Sequence, residues 1–157
     1  MKWGEWLDSW NMTAIRIKSP FIDMEWNPKN EDRDAAWELY TELLTRITTQ
    51  DLPVEYGDEK TALKSVFKIF GLTRDTIKTH GRGCIEFTKI AIVILNQIVR
   101  PFTAKWHRCS VSGGFSDEKN CKKFRIELEE LQGKLRIYTK MLSDMAGVED
   151  LTDIEDI

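Results

Sequence analysis

Apolar residues recur with helical spacing over most of this chain. The clearest series lies in the last third, where apolar side chains follow one another at alternating steps of three and four residues. Its members are Cys121, Phe124, Leu128, Leu131, Leu135, Tyr138, Leu142 and Met145. This pattern predicts one long helix that packs along a neighbouring helix at a shallow angle. Ser116 is the predicted N-cap of the helix, and Gly147 is its predicted stop.

Three further amphipathic segments precede this helix. The first covers about residues 30–50, and the second begins after the predicted cap Asp58. The third begins near Cys84 and is apolar on all sides over 90–95, as expected of a central helix. Pro101 is expected to kink or end it, because proline lacks the backbone N–H, and the alternative is a continuation through Trp106. Short connections make consecutive helices antiparallel neighbours, so the prediction is a mainly α, up-down four-helix bundle.

The first 28 residues follow two other patterns. Trp3, Trp6 and Trp10 share one face of a predicted short N-terminal helix, which either docks on the chain's own core or meets a partner. Residues 15–26 alternate between apolar and charged side chains around Ser19-Pro20, which predicts two short strands, a small β-hairpin. We therefore expect one helical domain over 1–157, with an N-terminal docking segment at 1–28 and an acidic tail at 148–157.

Length and composition favour one intracellular domain. The 157 residues are 41% hydrophobic and 31% charged, a globular balance. Three cysteines without CxxC spacing fit a reducing compartment better than a disulfide framework. The longest uncharged run has ten residues, about half of the roughly 20 that a membrane span needs. We expect a cytoplasmic location without a membrane span.

Charge is unevenly distributed along the chain. Residues 80–140 carry 12 Lys or Arg against 6 Asp or Glu, whereas residues 141–157 carry 6 acidic residues and no Lys or Arg. This asymmetry predicts a basic bundle end that binds nucleic acid or another anion, is merely solvated, or is covered by the folded-back acidic tail. The candidate residues are Arg82, Arg100, Lys105, Trp106, His107, Arg108, Lys119, Lys122, Lys123 and Arg125.

Motifs for catalysis or metal binding are weak. The possible zinc ligands His80, Cys84, His107, Cys109 and Cys121 lack the paired short spacing of structural zinc sites. Asp23 and Glu25, with Lys29 nearby, suggest a metal-dependent nuclease only if they share a strand face. The sequence contains no GxSxG, P-loop or GxGxxG motif. We therefore expect no cofactor and no metal, and an enzyme is the less favoured interpretation.

Two segments resemble known sequences. They are residues 34–40, DAAWELY, and residues 95–107, LNQIVRPFTAKWH. Both are similar to helices of uncharacterised bacterial proteins, some of which belong to antiphage or other conflict gene neighbourhoods. The resemblance implies a bacterial origin and a partner-binding or regulatory role, and it implies no catalytic residue.

The leading hypothesis is a non-enzymatic interaction module that self-associates or docks on a larger protein. The candidate interface residues are Trp3, Trp6, Trp10, Leu128, Leu131, Leu135, Tyr138 and Leu142. The long apolar stripe could equally pack within the chain. The alternatives are a nucleic-acid or nucleotide-binding module that uses the basic end, and a small metal-dependent nuclease.

Overall fold

The computed structural model describes residues 1–12, 14–55 and 57–156, and it is 72% helical. Its α-helices are α1 (Trp3–Ser9), α2 (Ser19–Ile22), α3 (Asn30–Leu44), α4 (Glu59–His80), α5 (Ile85–Ile94), α6 (Arg100–Val111) and α7 (Glu118–Ala146). Within the described ranges there is no strand, and one isolated antiparallel bridge joins Lys2 to Glu25. The mainly α helical bundle predicted from the sequence is confirmed.

Four long helical units alternate in direction. Helices α3 and α4, the continuous α5–α6 unit and α7 are joined by connections that lie at the two ends of the bundle. One end holds the connection from α4 to α5 through a 3₁₀ turn at Gly81–Cys84. The other end holds the connection from α6 to α7 through a 3₁₀ turn at Gly114–Ser116. None of the helices in the described residues is long and apolar enough to cross a bilayer.

Helix ends follow local capping chemistry. The carboxylate of Asp58 accepts a hydrogen bond from the backbone N–H of Thr61 at 2.8 Å, as its predicted role as N-cap of α4 requires. The predicted cap Ser116 is wrong: Asp117 caps α7 by accepting from the N–H of Lys119, while the Ser116 hydroxyl donates to the carbonyl of Gly113. Gly147 ends α7 with φ 70°, in the left-handed region.

The α5–α6 unit runs past Pro101 without ending there. A π-helical stretch at Leu95–Val99 lies immediately before the proline. Its wider hydrogen-bonding pattern absorbs the missing N–H of Pro101, so the helix continues to Val111. The helix therefore does not end at Pro101, and the predicted alternative, a continuation through Trp106, is the one that the structure shows.

The long stripe of α7 packs inside its own chain. Helix α7 lies mainly against α3, and Leu128, Leu131, Leu135, Tyr138 and Leu142 are all buried. This burial corrects their assignment as interface residues, because the chain itself already covers these side chains. Burial also raises the pKa of the Tyr138 phenol.

The N-terminal tryptophans pack on the same core. Trp3 and Trp6 are buried, Trp10 is half-buried, and the Trp6 ring stacks on Trp26 at 4.7 Å between centroids. The indole N–H of Trp3 donates to the carboxylate of Glu86 on α5. The indole N–H of Trp6 donates to Asp144 on α7 at 2.7 Å. The bundle thus covers Trp3 and Trp6, and Trp10 is partly covered.

The predicted hairpin does not form. Residues 15–18 are extended without a partner strand, and Ser19–Ile22 forms the single helical turn α2. Pro20 favours this outcome, because its fixed φ suits the first turn of a helix. The alternation still reports side-chain direction: Ile15 and Ile17 are half-buried, whereas Arg16 and Lys18 are exposed. We call residues 14–18 the strap.

The internal packing of α7 is tested by Leu131→Ala. Leu131 is buried, so we expect the free energy of unfolding to fall by about 2–5 kcal/mol. Ile126→Ala is the matched control on the same helix, because Ile126 is exposed and its truncation should cost about 0.5 kcal/mol or less. Urea denaturation of both variants measures the difference, and equal losses would contradict the packing described here.

Candidate functional site

The predicted basic end does not form one continuous patch. Arg82 lies at the opposite end of the bundle, in the turn between α4 and α5. The ammonium of Lys105 is held by Glu127 on α7 at 2.7 Å. Arg125 donates to the carbonyls of Leu52, Pro53 and Gly57, so it fixes the loop before α4. Arg82 is therefore distant from the predicted basic end, and Lys105 and Arg125 are held by contacts within the fold.

Trp106 is not a surface stacking platform. Its ring is 2% exposed and lies among Phe115 and Phe124, with centroids 5.9 Å and 5.3 Å away. Large aromatic rings stabilise a core by the area that they bury, and Trp106 acts in this way. Its placement beneath the surface separates it from any ligand of the basic end.

The remaining predicted cations divide between two surfaces. Exposed side chains at the end formed by α6 and α7 are Arg108, Lys119, Lys122 and Lys123. Arg100 and His107 instead face α4, where they lie over the rings of Phe70 and Phe67. The surface toward α4 therefore combines basic side chains with phenyl rings, whereas the end formed by α6 and α7 exposes the other cations of the predicted patch.

The acidic tail folds back along α7 and away from the predicted basic end. Arg136 contacts the carboxylates of Asp153 and Asp156, and Lys140 contacts Asp153 at 2.6 Å. The backbone N–H of Leu151 also donates to the Tyr40 hydroxyl at 2.5 Å. Hydrogen bonds from Lys140 and then Arg136 lower the pKa of the Asp153 carboxyl. The tail thus covers two cations in the second half of α7.

The residues considered for metal or nuclease chemistry are not brought together. In the described part of the chain, no three His, Cys, Asp or Glu side chains lie close enough to hold a metal ion. His80 contacts Glu38, and the Cys84 thiol faces the carbonyl of Gly81. Asp23 ends α2 while Glu25 contacts the amino group of Met1, so the strand face on which the nuclease hypothesis depended is absent.

An open, mainly apolar surface lies between α5 and the N-terminal segment. It is a groove of about 330 Å³. Ile92 and Phe21 line it, and they are large apolar side chains that remain 49% and 47% exposed. The other lining residues are Trp3, Arg16, Ile17, Lys18, Lys89 and Val93. We call this surface the α5 groove.

One side-chain amide fixes the strap that forms a wall of the groove. The Gln97 carbonyl oxygen accepts from the backbone N–H of Arg16 at 2.7 Å. The Gln97 amide nitrogen donates to the backbone carbonyl of Arg16, also at 2.7 Å. These two bonds replace the partner strand that the alternating pattern predicted, and they turn Ile17 toward the groove.

The rim of the α5 groove is basic. Arg16 and Lys18 are exposed on the strap, and neither has a salt bridge to another described residue. Lys89 contacts Glu86 at 2.9 Å and lies 6.0 Å from the Trp3 ring centroid. The groove therefore favours a ligand with one apolar face, which would cover the floor. Acidic groups beside that face would meet Arg16 and Lys18 on the rim.

Sequence reasoning missed the principal residues of this site. Ile92 belongs to a run that is apolar on every side, so the pattern gave no direction for its exposed face. Phe21 falls within the predicted hairpin, and Gln97 falls within the ten-residue uncharged run, where nothing in the pattern indicates a contact with residues 14–18. The alternation of Ile15, Arg16, Ile17 and Lys18 was the available signal, since it indicated an extended segment with its cations outward.

The fold and the groove define a small helical bundle with an open apolar surface beside α5. Comparison of this chain with protein-family models, curated proteins and solved structures gave no match.

The strap attachment is tested by Gln97→Ala. Loss of two exposed hydrogen bonds should lower the free energy of unfolding by about 1–2 kcal/mol and accelerate amide exchange of Arg16. Asn96→Ala is the control, because the neighbouring Asn96 amide contacts Arg100 and not the strap. Hydrogen exchange at residues 14–18 measures the effect, and unchanged exchange in Gln97→Ala would exclude this attachment.

Docking of the tail is tested by the titration of Asp153. Its carboxyl has a lowered pKa in the folded state, so the contact stabilises the protein above the unfolded pKa of about 4 and is lost as the pH falls through the folded pKa. NMR titration should show that Lys140→Gln moves the pKa of Asp153 upward toward its ordinary value. An identical pKa in the variant would show that the Lys140 contact is not formed.

Proposed function

We propose that this protein is a non-enzymatic interaction module that binds an acidic, amphipathic helical segment of a partner protein in the α5 groove. The observation that carries the proposal is the exposure of Ile92 and Phe21 in a groove with Arg16 and Lys18 on its rim. The partner's apolar residues cover the floor, and its carboxylates face the two cations.

The dimensions of the groove favour a peptide segment over an enclosed small molecule. Its volume of about 330 Å³ is at the low end of the range for ligand pockets, roughly 300–1,000 Å³, and it is open along α5. Helix-in-groove recognition needs only a few apolar anchors at intervals of three or four residues. Ile92, Val93 and Phe21 provide the surface on which such anchors pack.

The chemistry of the described side chains supports binding over catalysis. Burial and, as a smaller cause, the neighbouring Glu59 side chain raise the pKa of the Cys121 thiol. A raised pKa opposes formation of a nucleophilic thiolate. Cys84, Cys109 and Cys121 are free thiols, which fits the proposed cytoplasmic location. The proposed setting, a bacterial defence-type complex, is supported by the resemblance of residues 34–40 and 95–107.

Ile92→Glu tests the groove directly. A display library of short helical peptides is selected on the wild-type protein, and the enriched peptides are measured by fluorescence anisotropy. We expect them to carry apolar residues at helical spacing with Asp or Glu beside them, and to bind Ile92→Glu at least about tenfold more weakly, as expected for a charge placed in an apolar contact. Ile126→Glu, the same change at an exposed isoleucine on α7, should leave affinity unchanged.

Three results would contradict the proposal. Enriched peptides without the expected spacing and acidity would exclude an amphipathic helix as the ligand. Equal affinity for Ile92→Glu and the wild type would place binding elsewhere. A wild-type dimer in light scattering that Ile92→Glu converts to a monomer would show that a second copy of this chain covers the groove.

A further inference from the structure

A second open surface runs between α4 and α6 and shares no residue with the α5 groove. It is a cleft of about 310 Å³ to which α4 contributes Lys60, Lys64 and Phe67, and α6 contributes Thr103, His107 and Ser110. We call it the α4–α6 cleft. It includes His107 from the predicted basic end, and it adds two lysines that lie outside the basic region 80–140.

The cleft contains an exposed aromatic ring. Phe67 is 58% exposed, although it contacts Phe70 with ring centroids 5.6 Å apart. The His107 ring lies nearly parallel to Phe67, with ring centroids 6.5 Å apart and 19° between the planes. Arg100, seven residues before His107 on α6, lies 4.7 Å from the Phe70 ring centroid. The facing surfaces of α4 and α6 thus combine two phenyl rings with an imidazole and a guanidinium group.

The charged side chains that line the cleft, Lys60 and Lys64, are both positive, and the Asp58 carboxylate at the N-cap of α4 lies near both of them, outside the lining. No carboxylate is among its lining residues, and neither Lys60 nor Lys64 has a salt bridge to another described residue. The two lysines are one turn apart on α4, about 6 Å along the helix axis. A concave surface with apolar walls strengthens the attraction of such charges for an anion.

We propose that the α4–α6 cleft binds single-stranded nucleic acid. Lys60 and Lys64 contact successive backbone phosphates, and a base stacks on the open part of Phe67. Bases stack on aromatic side chains without regard to sequence, whereas a chain of acidic residues has no aromatic ring to stack on Phe67. The surface is concave, so it fits a flexible single strand better than the rigid backbone of a duplex. This inference is independent of the proposed protein partner.

The test uses a fluorescein-labelled oligo(dT) strand and the full-length protein. Fluorescence anisotropy should show binding at about 50 mM salt that weakens steeply toward 200 mM. Lys60→Gln combined with Lys64→Gln should lower affinity at least about tenfold and reduce the salt slope by roughly 0.7 per lysine. The control is Lys122→Gln combined with Lys123→Gln, the same loss of charge outside the cleft, which should retain wild-type affinity.

Phe67→Leu distinguishes nucleic acid from an acidic peptide. This change keeps an apolar side chain but removes the ring, so oligo(dT) affinity should fall at least about fivefold with an unchanged salt slope. A labelled polyglutamate peptide should bind more weakly and be insensitive to Phe67→Leu. Thermal unfolding by circular dichroism checks that each variant is folded.

Several outcomes would overturn the proposal. One is the absence of oligo(dT) binding at low salt. Another is a larger loss of oligo(dT) affinity in the Lys122 and Lys123 control than in the cleft variant. A third is an unchanged oligo(dT) affinity in Phe67→Leu. Polyglutamate binding that matches oligo(dT) would assign the cleft to acidic polypeptides instead.

Discussion

Two indole–carboxylate hydrogen bonds hold the N-terminal segment on the bundle, and the α5 groove depends on them. Trp3 contacts Glu86 on α5, and Trp6 contacts Asp144 on α7, so α1 joins two helices that are distant in sequence. Hydrogen bonds to a charged acceptor are worth more than neutral ones. With α1 fixed, Gln97 can hold the strap beside α5, which leaves Ile92 open.

Internal contacts determine which cations remain free for a ligand. Arg125, Arg136 and Lys105 each contact a carboxylate or several carbonyls and stabilise connections within the fold. Arg16, Lys18, Lys60 and Lys64 have no salt bridge among the described residues and border the two open surfaces. The overall charge of −3 therefore conceals two local regions of positive charge.

Periodicity predicted the fold well because helical faces are local properties. The buried face of α7, the Asp58 cap and the stop at Gly147 all follow from residues within one or two helical turns. The basic patch failed because its neutralising contacts are remote: Glu127 lies 22 residues from Lys105. The hairpin failed because a side chain 81 residues away, Gln97, supplies the strap with the partner that a second strand would have provided.

The central claim is that an acidic amphipathic helix lies on α5 beside the strap. Its most direct test is a titration of the isotope-labelled protein with a peptide enriched on the wild type, followed by NMR. Chemical-shift changes are expected to concentrate at residues 15–21 and 85–94, with the exposed face of α7 around Ile126 unaffected. Changes centred on α7, or spread evenly over the bundle, would contradict it.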